Sequence, residues 1–117
     1  DSPIRAHKVA GDVVWFDFVN ICEGPRSQND YIELATLFTT VLISNVPVMD
    51  TTKEDAARRF ISLVDEFYDR RVKLILSADE SIANLYQGQL LSFEFQRTQS
   101  RLLEMQSKSY LGEPHVS

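Results

Sequence analysis

With 117 residues the chain has the length of one domain, and 44% hydrophobic with 25% charged residues is a globular composition, not a disordered or fibrous one. Twelve Lys and Arg against 17 Asp and Glu leave a net charge of −5, which argues against nucleic-acid binding driven by bulk charge. The single Cys22 excludes an internal disulfide and fits a reducing compartment, and no apolar run approaches the ~20 residues of a membrane-spanning helix.

Ile4 to Val9 alternates loosely, and Ala10-Gly11-Asp12 signals a turn. The apolar run from Val13 to Phe18 then predicts a buried strand, so the two segments are expected to form a hairpin at Gly11. Gly24-Pro25 breaks regular structure. Ser27 with Asp30 three residues on resembles a capping box, opening a helix to about Leu37 that buries Tyr31, Leu34, Ala35 and Phe38. Thr40 to Asn45 predicts a second buried strand, closed by Val46-Pro47.

Thr51 or Thr52 is placed to cap the next helix, with Glu54 and Asp55 favourable at its positive end. Its apolar stripe is the clearest in the chain: Ala56, Ala57, Phe60, Ile61, Val64, Phe67 and Tyr68, widened by Leu63. Arg59, Ser62, Glu66 and Arg70 are expected to face away, with Asp55–Arg59 and Glu66–Arg70 as pairs four residues apart. A third strand, Val72 to Ala78, completes two strand–helix–strand units, the pattern of a small parallel α/β sheet with flanking helices. Beyond it the expectations are a short helix over Ser81–Tyr86, a turn at Gly88, an extended Leu90–Phe95, a last helix over Gln96–Ser107 with Leu102 and Met105 inward, and a frayed flexible tail from Gly112 to Ser117.

Asp17 ends a strand of large apolar residues, where metal-binding aspartates and phosphatase nucleophiles sit at the carboxyl edge of a parallel sheet. Phe18 stands where the first use needs a second acid and Val19 where the second needs another Asp, so a turn-capping Asp is the simpler reading. Ser44, Ser77 and Lys73 would be the phosphate-binding parts of an enzyme built on Asp17. Asn45, also at a strand end, suits a water or a phosphate, or simply the turn before Val46-Pro47. Arg58-Arg59 and Arg70-Arg71 with Lys73 read as solvated charges beside a helix. Arg97 and Arg101 share one helical face, where two guanidinium groups grip a phosphate or an acidic partner, or else pair with Glu94 or Glu104. His7 and His115 lie at opposite ends and Cys22 has no partner at ligand spacing, which disfavours zinc and makes Cys22 a packed thiol. Glycines at 11, 24, 88 and 112 make no GxxxxGK[ST] loop.

Several strings, in order, carry a resemblance: Val14-Trp15-Phe16-Asp17-Phe18 with Cys22, Gly24 through Tyr31, Arg58-Arg59-Phe60-Ile61 with Leu63 through Asp69, and Phe93 through Thr98 with Ser100 through Ser107. From about Val13 to Leu111 the chain resembles the carboxyl-terminal part of the Afg-like P-loop ATPases, in their bacterial cell-division branch more than their mitochondrial one. The resemblance implies a longer cytoplasmic protein that binds and hydrolyses ATP with Mg2+ at the division site, associated with the FtsZ ring. The nucleotide loop, the acidic metal-binding pair and the sensor asparagine of that family lie upstream of this region. It follows that Asp17 and Asn45 do not take those parts, and the 117 residues are expected to be one α/β domain, inactive by itself, that completes, regulates or docks. Arg97 and Arg101, then Arg58 and Arg59, are the residues expected to reach a nucleotide or a neighbouring subunit. The expected partners are FtsZ, the upstream ATPase domain and a second copy of the chain. The alternatives are a stand-alone interaction module and, behind it, a phosphatase-like enzyme using Asp17.

Overall fold

The computed structural model describes residues 3–117. Gly11, at φ +61°, turns strand β1 (Lys8–Ala10) back antiparallel onto β2 (Val13–Asp17), a conformation glycine adopts without a steric penalty. β2 runs parallel to β3 (Thr40–Val46), and β3 parallel to β5 (Lys73–Ala78), giving the order β1-β2-β3-β5. Helix α2 (Gln28–Leu37) makes the first crossover and α3 (Glu54–Asp69) the second. Because the order advances in one direction, two crossovers of the same hand put both helices on one face. That face is sealed: Val14, Phe16, Val41 and Ile43 of the sheet are buried with Tyr31, Ala35, Phe60, Val64 and Phe67 of the helices. Among the described residues no helix covers the opposite face, where Trp15 and Ile75 are exposed.

The expected parallel α/β core with its hairpin and closing helix is what the chain forms. Its local details differ in instructive ways. The first strand stops at Asp17, and Phe18 opens a short helix α1 (Phe18–Cys22) that buries Phe18, Ile21 and Cys22. Only Lys8–Ala10 of the first alternating stretch pairs as strand. Asp50, rather than Thr51 or Thr52, is the acceptor before α3: its Oδ1 takes the Thr52 N–H at 2.9 Å. It ends strand β4 (Met49–Asp50), which pairs in parallel with β6 (Tyr86–Gln87), a two-residue ladder that takes over at the last residue of the helix expected over 81–86. A single 3-10 turn, Ile82–Asn84, precedes it.

Helix α4 spans Ser92–Glu104, beginning inside the stretch expected to be extended. Leu91 and Phe95 are buried four residues apart while Phe93 between them is 83% exposed, so the period is helical and the apparent Leu91-Phe93-Phe95 alternation is not. Helix α5 (Lys108–Leu111) follows, capped by Ser107, whose Oγ accepts the Tyr110 N–H. In the closing segment Glu113 pairs with Arg71, His115 Nε2 lies 2.6 Å from the Ala35 carbonyl, and the Val116 N–H donates to the Arg70 carbonyl. Neither expected pair on α3 forms: Arg59 donates to the Cys22 carbonyl, Glu66 accepts from Gln28 and Arg70 reaches the Val116 carbonyl.

Candidate functional site

Three polar constellations contain the residues with chemical promise. The first lies at the carboxyl edge of the parallel strands. Register places Asp17 beside Ser44, and Asp17 Oδ1 accepts from Asn45 Nδ2 at 2.8 Å and Ser44 Oγ at 3.3 Å. Asn45 sits at φ 61° in a register shift between Ile43 and Val46, the left-handed conformation that asparagine tolerates best among residues with a side chain. Its N–H donates to Ser77 Oγ at 2.9 Å, and the Trp15 indole donates to Ser44 Oγ at 2.9 Å. Asp17 occupies the N-cap position of α1 but makes no side-chain cap there, since its carboxylate holds the β3 bulge instead. Lys73, grouped with these residues in the phosphatase reading, pairs with Thr40 at the other end of the strands. The cluster therefore lacks the cation that reading needs and acts as a brace across three strands.

The second constellation is between α3 and α4. Arg97 and Arg101 do share a face, but their carboxylate is Asp65 of α3, not Glu94 or Glu104 of their own helix. Arg97 Nη2 lies 3.4 Å from Asp65 Oδ2, and Arg101 Nη1 makes a short contact with Oδ1. The Arg101 guanidinium also lies 4.9 Å from the Tyr68 ring centroid, and Glu104 accepts from the Tyr68 hydroxyl. Arg97 is the more exposed partner, with 58% of its side chain in solvent against 27% for Arg101. Charge, stacking and the partly buried setting make this a clamp between helices.

The third lies where α2 begins beside the first turns of α3. Arg26, Arg58 and Arg59 line an open depression of about 310 Å³ with Asp55 and Gln28. Arg26 Nη2 is 3.4 Å from the Pro3 carbonyl, Arg59 Nη1 is 3.4 Å from the Cys22 carbonyl, and Arg58 is exposed. Arg58 and Arg59, with Asp55 as a described carboxylate of the lining, suit an incoming anion. Arg58 and Arg59 were legible as candidates; Arg26 joins them only because the Gly24-Pro25 break swings it next to α3. Beneath the depression the Tyr31 hydroxyl donates to the Ile21 carbonyl at 2.8 Å. Burial drives the Cys22 thiol far above its ordinary pKa, which leaves it an inert packed group and no nucleophile.

The sequence contains no GxxxxGK[ST] phosphate loop. The four glycines are scattered singly along the sequence, and among the described residues no three of His, Cys, Asp and Glu stand together as cation ligands. Nor, among the described residues, is any helix long and apolar enough to cross a membrane.

Comparison with known proteins gives a consistent result. The model of the AFG1-like ATPase family matches residues 1–114. Cell division protein ZapE of Escherichia coli strain K12 is 49% identical over 98% of this chain and 31% of its own length. Lactation elevated protein 1 homolog B of Danio rerio is 33% identical over 92% of this chain and 28% of its own length. The chain thus spans about a third of the length of the curated relatives it matches. No solved structure matches it significantly.

Proposed function

The chain belongs to the AFG1-like ATPase family, and we propose that it is the carboxyl-terminal domain of a ZapE-like ATPase acting in cell division, completing the enzyme or meeting a partner without holding the nucleotide itself. One observation carries this reading: 49% identity runs along 98% of the chain while its sequence contains no GxxxxGK[ST] loop. The longer protein then binds ATP and Mg2+ through its other residues, works in the cytoplasm at the division site, and has FtsZ as its partner. Of the four arginines carried as candidates, Arg58 and Arg59 suit an anionic group of a neighbouring subunit or of the nucleotide, because they line an open depression. Arg101 and Arg97 already hold Asp65, so their part is to fix α4 on α3.

The test is ATP turnover and FtsZ capture by the 117-residue chain beside the full-length protein. Turnover only by the full-length protein is expected, together with reduced turnover in folded Arg58→Ala and Arg59→Ala forms of it. Turnover by the 117 residues alone overturns the reading.

A further inference from the structure

The uncovered face of the sheet has a definite pattern. Side chains alternate along each strand, and the register aligns Lys8, Trp15, Leu42 and Ile75 in one row across all four strands. Trp15 is 40% and Ile75 54% exposed, and Leu42 between them is half-buried, so the centre of the row is apolar and open to solvent. A shallow depression of about 270 Å³ follows it, bounded on one side by Ser44 and Ser77. Toward the amino ends of β2, β3 and β5 the next row is Ala10, Val13, Thr40 and Lys73, and toward the carboxyl ends it is Asp17 and Ser44. An open apolar band with Lys8 at the end of its row, Lys73 in the row on one side and Asp17 in the row on the other is an interface pattern and not a solvated one.

Topology says why nothing here covers it. The strands advance from β2 to β3 to β5 without reversing, so both crossover helices fall on the other side. Sheets of parallel strands are found with both faces covered. The covering layer must come from outside these 117 residues, and the relatives are about three times as long as the matched stretch. We propose that the rest of the same polypeptide packs on the Trp15–Leu42–Ile75 band. The covering segment places an apolar stripe on the band, acidic groups over Lys8 and Lys73, and a basic group or donor over Asp17. Trp15 is held ready by its indole bond to Ser44 and by His7, whose ring centroid is 4.7 Å away.

This inference rests on the reading of the chain as part of a longer ATPase, but its test reads contact and not catalysis. Ile75→Cys is introduced into the full-length protein, and maleimide modification at that site is followed by mass spectrometry, with the urea-unfolded protein as reference. Cys22, fully buried, stays silent in the native state. Modification of Cys at position 75 at least tenfold slower than in urea, and unchanged on dilution, is expected. Protection lost on dilution assigns the face to a second copy and overturns the proposal, as does a rate equal to the reference. Should the cysteine variant fail to fold, hydroxyl-radical footprinting of Trp15 in the unsubstituted full-length protein answers the same question: ready oxidation overturns, protection supports. ATP turnover and FtsZ capture, measured on the same sample, report the parent reading separately, since a covered face is compatible with either outcome there.

Discussion

Residues 13–78 and residues 79–117 are held in place by different means, and helix α3 is where the two meet. The first region is sealed by periodic apolar faces: alternate residues of β2 and β3 on one side, the 3–4 residue stripe of α3 on the other. The second region carries one apolar stripe, Leu91, Phe95, Leu102 and Met105 on and beside α4, with Leu85 and Tyr110 outside it, and polar point contacts fasten it further to α3. Glu54 at the start of α3 accepts from the Tyr86 hydroxyl and from the N–H groups of Gln89 and Leu90. Asp65 in the middle holds Arg97 and Arg101. At the end, Arg71 takes the left-handed position at φ 58°, the Val72 N–H returns to the Phe67 carbonyl, and the Tyr110 hydroxyl bonds the Val72 carbonyl at 2.7 Å. An apolar face tolerates the loss of any one neighbour by degrees, whereas a latch fails when one atom is removed or one is added.

The largest expected effect is on the periodic side. Phe67 is fully buried, and Phe67→Ala should cost about 3–5 kcal/mol in denaturant unfolding, most of a small domain's margin. Near-wild-type unfolding of that variant would mean that the stripe is not what binds the two layers. The latch side breaks by addition. A Cβ at Gly88 would lie 2.5 Å from Glu54 Oε1 and 2.6 Å from the Tyr86 hydroxyl. That carboxylate cannot swing aside without releasing three donors, so Gly88→Ala should destabilise by about 1–3 kcal/mol. Hydrogen exchange should show residues 85–91 opening first, and a uniform change across the chain would refute the latch picture.

The same contrast explains what could be read from the sequence. α3 was legible from its repeated apolar stripe, α2 from its capping box, and β2, β3 and β5 from short apolar runs between turn signals. α1 was hidden because Phe18 prolongs the apolar run of β2 without a break in composition. β4 and β6 are two residues each and pair with partners 37 positions away, so neither has a pattern of its own. α4 was mistaken at its start because Leu91, Phe93 and Phe95 satisfy a strand period as well as a helical one. At the candidate sites, residue types were legible and partners were not. Arg97 and Arg101 were visible as a pair, but Asp65 lies on another helix. Asp17 and Asn45 were both visible as strand ends, yet their bond depends on the parallel register and on the bulge at Asn45.

Smaller effects sharpen the comparison by touching one latch at a time. Tyr110→Phe keeps the ring near Tyr68, at 5.9 Å between centroids, and removes only the hydroxyl that serves the end of α3. A loss of about 1 kcal/mol is expected, readable as a shift in denaturant midpoint with unchanged slope. An unaltered midpoint would show that the end of α3 is closed by its own turn alone.

The Glu54 latch gives the smallest effect, and it carries a sign. The Tyr86 hydroxyl, followed by the N–H groups of Gln89 and Leu90, holds this carboxyl below the usual glutamate range. A carboxyl whose folded pKa lies below its unfolded one binds its proton more readily in the unfolded chain. The contribution is therefore complete above the unfolded value of about 4.3 and fades as pH falls through the folded one. Asp50, lowered by its bonds to Thr52, acts in the same direction, so a pH profile of the unsubstituted chain sums at least these two. Glu54→Gln separates them. An amide presents an N–H₂ to three donors that need an acceptor, and it does not titrate. The variant should be less stable at pH 7 and lose less than the unsubstituted chain between pH 5 and pH 3, approaching it at the acid end. Parallel profiles would mean that the Tyr86 hydroxyl and the two N–H groups do not depend on the charge of Glu54, and the region after Ala78 would then be held by its apolar anchors alone.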